Sequence, residues 1–224
     1  MMYAKAMVAV DPTGLKTPHR LGSASCFLTF DDGRREHASL TAPLLEASGM
    51  RGIFFVPTQR IGREGYLNGE DVKKMSGAGH IFGLHGHQHR RLDLLSPGNL
   101  REDFARSCDL LESLTGGKPW IFAPVGGYGS DWVTATAQHF GVQTIRTMRW
   151  GLNHHPDPFA LETVPIHQDL DHEKLKNILL AGSFGRGYRS KELVKRLAPE
   201  SLYRRIRQTA PRIANWLSLP SNHE

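Results

Sequence analysis

Two short stretches of this chain hold residue types that together do metal chemistry. Leu28-Thr29-Phe30-Asp31-Asp32-Gly33 sets two adjacent carboxylates between an apolar run and a glycine. His85-Gly86-His87-Gln88-His89 begins 53 positions after Asp32 and offers imidazoles four apart. One carboxylate oxygen and two imidazole nitrogens make a three-ligand set that leaves coordination positions open, as a catalytic metal requires. A structural zinc site is instead closed by four protein ligands. Each stretch alone has an ordinary explanation. Asp-Gly is a common turn former, and residues four apart share a face on any helical turn. It is their joint placement that points to a metal-dependent hydrolase.

That placement depends on the elements between them. Residues 26–30 read as a strand ending at Asp31, and residues 81–84 as a strand that delivers the chain to His85. Residues 53–56 form a wholly apolar strand, buried on both faces. Helices are expected over 40–47, after the N-cap Asn68, and after Ser96 with Pro97 in first position. The last of these carries Leu100, Phe104, Cys108, Leu111 and Leu114 on one face and closes at Gly116. Strands at 120–123, 142–146 and 163–166 alternate with helices at 130–140 and 171–181. Such alternation implies parallel strands with helical crossovers, an α/β fold, either a barrel or an open sheet. In these folds the active site lies at the C-terminal ends of the strands. Both clusters obey that rule, and residues 124–129 form a third strand end.

The composition is that of an ordinary globular protein. Over 224 residues, 39% are hydrophobic and 22% charged, which argues against wholesale disorder. No apolar run approaches the roughly 18 to 20 residues that span a bilayer, and Asp11, Pro12 and Gly14 interrupt residues 1–20 before a signal-type segment can form. The expected location is therefore cytoplasmic. Cys26 and Cys108 read as two buried reduced thiols. The positive charge is concentrated: residues 186–216 hold nine Lys or Arg against Glu192 and Glu200. Two domains are expected, 1–182 carrying the site and 183–224 forming a basic, amphipathic helical extension. That extension is either a solvated helix face or a contact for anionic membrane or a phosphorylated glycan. Neither glycine-rich stretch, 182–187 or 126–129, has the context of a nucleotide-binding loop, and no nucleic-acid module is present.

The combination of motifs resembles the polysaccharide deacetylase family, the NodB-homology esterases that remove acetyl groups from sugars. The resemblance covers about residues 24–180. It rests on Thr29-Phe30-Asp31-Asp32-Gly33, on the His85 to His89 segment continuing to Leu92, and on Gly52-Ile53-Phe54-Phe55-Val56 with Ile61-Gly62. It implies a deformed (β/α) barrel of about seven parallel strands. It also implies that Asp31 is the general base and that Asp32, His85 and His89 bind a divalent cation, usually Zn²⁺. The chemistry is consistent with these roles. A bound Zn²⁺ polarises an acyl carbonyl and lowers the pKa of its water to near 7, and Asp31 beside it is free to accept that water's proton.

The third family motif is altered here. Many members place an Arg before a proline, and that Arg pairs with the base; this chain reads Phe122-Ala123-Pro124-Val125-Gly126. Pro124 and Val125 are expected beside the substrate, with a backbone N–H near Val125 as an oxyanion donor. His167, after the strand at 163–166, stands where a general acid would protonate the leaving amine. Trp150 either stacks on a sugar or belongs to the core. The expected function is removal of an acetyl group from an N-acetylated or O-acetylated sugar in glycan metabolism, on a soluble or lipid-linked precursor. The alternatives are an amidase acting on a non-sugar C–N bond and a silent protein that binds carbohydrate.

Overall fold

A strand covered on both faces is apolar at every position rather than at alternate ones, and Gly52–Val56 is buried at all five. It is the fourth of eight strands among the described residues. In chain order these are β1 (Ala4–Val8), β2 (His19–Leu21), β3 (Ala24–Phe30), β4 (Gly52–Val56), β5 (Ile81–Leu84), β6 (Ile121–Phe122), β7 (Thr144–Trp150) and β8 (Leu161–Pro165). The helices are α1 (Ala42–Ala47), α2 (Gly69–Gly77), α3 (Pro97–Thr115) and α4 (Asp131–His139). This computed structural model describes residues 4–8, 19–21, 24–153 and 156–166, with Glu173 and Asn177 as single helical positions. All the elements lie in the first of two units into which the chain divides, Met1–Leu175 and Lys176–Glu224.

Strands β3 to β8 pair in chain order, each pair parallel. β1 runs antiparallel to both β8 and β3, so it joins the two ends of the parallel set, and β2 pairs antiparallel with β3. This is the deformed (β/α) barrel that the sequence implies, with six parallel strands. The closing strand β1 and the short strand β2 are additions to that expectation.

Local chemistry explains where the helices start. Asn68 caps α2 through a reciprocal capping box with Asp71. The Ser96 side chain accepts from the Asn99 N–H at the start of α3, and Gly116 ends it at a left-handed φ of 77°. The helix expected from residue 40 starts earlier, as a π-turn over His37–Thr41 that runs into α1. β7 continues four residues beyond the expected 146 because it follows β8 as far as Thr163.

The core lies between the sheet and the helices. Phe30 stacks on Phe54 at 5.0 Å, and Phe104 of α3 meets Phe122 of β6 at 5.2 Å. Cys26 and Cys108 are free and buried, and burial pushes both thiols up to about 11. Among the described residues no helix is long and apolar enough to cross a membrane. The expected helix at 171–181 (apart from Glu173 and Asn177), the boundary at 182, the basic extension and His167 lie outside the described residues.

Candidate metal centre

Asp31 and Asp32 directly follow β3, and the chain turns there through two successive left-handed residues, Asp32 at φ 76° and Gly33 at φ 62°. Aspartate tolerates that region better than most side chains. Position 33 admits only glycine, because an added Cβ would lie 2.7 Å from Val56 Cγ1. The turn sends the two carboxylates to different partners. Asp32 reaches the histidine segment, and Asp31 reaches β7.

The histidine segment is held by backbone bonds from both sides. The N–H groups of Thr58 and Gln59, after β4, donate to the carbonyls of Gly86 and His87 at 3.2 and 2.9 Å. From below, the buried Asp103 carboxylate of α3 accepts from the His87 and Gln88 N–H groups at 2.6 and 3.3 Å. His87 itself faces Thr58, with Nδ1 2.8 Å from the hydroxyl. His89 is left-handed, at φ 54°. Among the described residues, Asp32 and His89 are the only non-glycine residues in that region. Such conformations cost on the order of 1 to 3 kcal/mol each and collect at functional sites.

The result is convergence. Ligand atoms of Asp32, His85 and His89 all lie within 4.8 Å of one another. His89 Nε2 is 2.7 Å and His85 Nε2 3.5 Å from Asp32 Oδ1. His85 is nearly fully buried and its Nδ1 lies 2.6 Å from the Ala123 carbonyl. A carbonyl only accepts, so Nδ1 carries the proton and Nε2 turns a lone pair toward Asp32, the tautomer that a ligand needs. His89 is arranged differently. Arg60 Nη2 donates to its Nδ1 at 2.8 Å, so Nε2 carries the proton that bonds to Asp32. The His85 and His89 imidazoles beside it hold the Asp32 carboxyl far below the usual carboxylate range. Two imidazole nitrogens and one carboxylate oxygen suit a borderline divalent cation such as zinc, and the tautomer of His85 fits that purpose.

Asp31 pairs with an arginine, but not from β6. Arg146 of β7 donates through Nη2 to Asp31 Oδ1. Its residue is 1% exposed. Nη1 lies 3.4 Å from Met148 Sδ, and Cζ sits 4.9 Å from the centre of the Phe55 ring. The register explains the substitution. β6 and β7 pair Phe122 with Ile145, so the next residue along each strand is Ala123 on one and Arg146 on the other. The small Ala123 stands where the sequence leads one to expect an arginine, and the adjacent strand supplies it.

A family model for polysaccharide deacetylases matches residues 19–145, more than half of the chain. The chain belongs to the polysaccharide deacetylase family. A peptidoglycan-N-acetylglucosamine deacetylase of Bacillus cereus is 30% identical over 134 residues, 59% of this chain and 59% of that protein. Among solved structures, the deacetylase PplD of Streptococcus pyogenes, in complex with acetate, aligns with a TM-score of 0.64 at 20% identity, over 68% of this chain and 69% of its own. IcaB from Ammonifex degensii aligns at 0.62 and 25% identity, over 67% and 71%. The chain spans between 36% and 59% of the length of the curated relatives it matches. The family match ends one residue before Arg146.

Other deacetylase positions expected from the sequence fall as follows. Pro124 is buried after β6, and Val125 opens a single 3-10 turn, Val125–Gly127. Trp150 ends β7, paired with Thr163 and partly exposed. Sequence reasoning missed Arg146, Asp103, Arg60 and His37. Asp103 left a readable trace, an acid one turn from Leu100 on the apolar face of α3. His37 is buried between Phe30 and Phe54, with no hydrogen-bond partner at Nδ1, and burial pushes it down to about 4.

Proposed function

We propose that this chain is a metal-dependent hydrolase that removes the acetyl group from an N-acetylated sugar of a glycan. The observation that carries the reading is the convergence of Asp32, His85 and His89 beside an Asp31 that a buried arginine holds apart from them. In this reading Asp32 and the two histidines hold one divalent cation, with zinc as first choice. That cation supplies Lewis acidity toward the acyl oxygen and the attacking water.

The protein's own groups do the rest. Asp31 accepts the proton of the attacking water as its oxygen bonds to the acyl carbon. The Arg146 guanidinium fixes the direction of that carboxylate and keeps it from turning to the triad. The Val125 N–H donates to the acyl oxygen as it gains charge; its support is its place two residues from Ala123, whose carbonyl orients His85. His167, two residues after Pro165 in the sequence, returns a proton to the leaving amine in this reading. Pro124 and Trp150 complete the sugar cleft.

The test is acetate release from N-acetylglucosamine oligomers by protein treated with a chelator, before and after zinc is restored. Acetate that appears only with the metal, and is lost in Asp31→Asn, supports the reading. Full metal occupancy with no acetate from any acetylated sugar overturns it in favour of a binding protein.

A further inference from the structure

A second cluster adjoins the metal site, touching it through Arg60, and holds none of the reacting groups named above. Tyr66 carries two guanidinium groups, with Arg34 Cζ and Arg60 Cζ each 5.0 Å from its ring centre. Two like charges on one ring repel each other, so this arrangement requires the backbone to impose it. Arg34 and Tyr66 form an antiparallel bridge, Arg35 N–H donates to the Gly65 carbonyl at 3.1 Å, and Leu67 N–H donates to the Gly33 carbonyl at 2.9 Å. Arg60 closes the turn Thr58–Arg60, which is tied to the histidine segment.

Arg34 has one loose ion-pair partner, and Arg60 has none among the described residues. Glu36 approaches Arg34 only to 3.9 Å, with both side chains about half exposed. Arg60 has no carboxylate within ion-pair distance among the described residues, and its bond to His89 uses one of five donors. Arg35 and Arg63, both exposed, add to the positive field of these loops, against Glu36 and Glu64. The cluster touches the site at two points: Arg34 is two residues from Asp32, and Arg60 bonds to His89.

We propose that Arg34 and Arg60, held on Tyr66, form a subsite for an anionic group carried by the glycan next to the acetylated sugar. The shared chemistry is a compact oxyanion, phosphate or carboxylate, which accepts from a guanidinium fork and offsets the positive charge held around the ring. This rests on the deacetylase reading for the neighbouring sugar but not on turnover, so binding alone tests it.

The experiment is calorimetric titration of the metal-free full chain, so that no cation competes for the anion. Three probes are compared: N-acetylglucosamine, N-acetylglucosamine 1-phosphate, and a disaccharide of N-acetylglucosamine with glucuronate. At least one anionic probe should bind about tenfold more tightly than the neutral sugar, as expected for charge-assisted bonds. Arg34→Gln and Arg60→Gln should each remove most of that preference. Preference for the phosphate alone assigns a phosphorylated glycan, and preference for the uronate alone assigns an acidic polysaccharide. Equal binding of all three probes overturns the subsite, as does a preference that survives both substitutions. Arg34 is exposed, so its variant keeps the test valid if Arg60→Gln disturbs folding. Zinc-dependent acetate release from neutral oligomers is scored separately, so a failed subsite and a failed deacetylase give different results.

Discussion

Arg146 on β7 donates to the carboxylate of Asp31 at the end of β3, 115 residues earlier in the chain. The pair places a guanidinium, fully shielded from solvent, against the carboxylate assigned as general base. Removing one member of a buried pair leaves the other uncompensated and costs about 3 to 5 kcal/mol. Arg146→Met is therefore expected to lower unfolding free energy by about 3 kcal/mol and acetate release by about a hundredfold. Ala123→Arg in the same background should restore much of both, since residue 123 lies beside 146 across the β6–β7 register. Urea denaturation and acetate assays check this; a double variant no better than Arg146→Met would contradict the transposition.

Asp103 makes its own prediction, because it ties down the loop between the two histidines without touching either ring. Loss of such a support weakens metal sites by about 10- to 100-fold. Asp103→Ala should weaken zinc binding by that order in a chelator competition, with Asp103→Asn falling between it and the native protein. Unchanged affinity in both variants would remove Asp103 from the account.

Arg60 should act in the opposite direction. Its donated bond keeps the His89 proton on Nε2, the nitrogen that faces Asp32. A cation at that nitrogen requires the proton to move to Nδ1 and the guanidinium to withdraw. Arg60→Met should therefore bind zinc about tenfold more tightly, as removal of a nearby like charge also favours. Weaker binding in the same competition assay would show that Arg60 supports the loaded site instead.

His37 links stability to pH. Its pKa in the folded chain, pushed down to about 4 by burial, lies below the ordinary 6.5, so between these values the unfolded chain binds a proton that the folded one refuses. Its contribution is complete above pH 6.5 and is lost as pH falls toward 4, amounting to about 3 kcal/mol in all. His80 and His87, also lowered by burial, act with the same sign. His37→Phe, which fits between Phe30 and Phe54 and removes the unpartnered nitrogen, should flatten the loss of stability between pH 6.5 and 4. Parallel pH curves for the variant and the native protein would contradict this.

The four residues at the ends of β3 and β5 were legible because each pair lies in one short segment whose chemistry shows in its own letters. The alternating strands and helices were legible for a similar reason: burial on both faces leaves unbroken apolar runs such as Gly52–Val56. Arg146 was not legible. Its role depends on which residue of β7 lies beside Ala123, and register is set by tertiary pairing. The closing strand β1 was missed although residues 6–10 form a short apolar run, because such a run does not show that it pairs antiparallel at two edges. The left-handed turn at Asp32 was half visible, since Asp-Asp-Gly announces a turn without saying that the second aspartate itself will be left-handed.

The most direct test is zinc titration of the metal-free chain by calorimetry, with each candidate ligand replaced in turn. One zinc per chain should bind to the native protein and to Asp31→Asn, with folding of the latter checked because Arg146 loses its partner. Binding should be lost in Asp32→Ala, His85→Ala and His89→Ala. Undiminished zinc binding in those three variants, or its loss in a folded Asp31→Asn, would contradict the assignment of ligand and base.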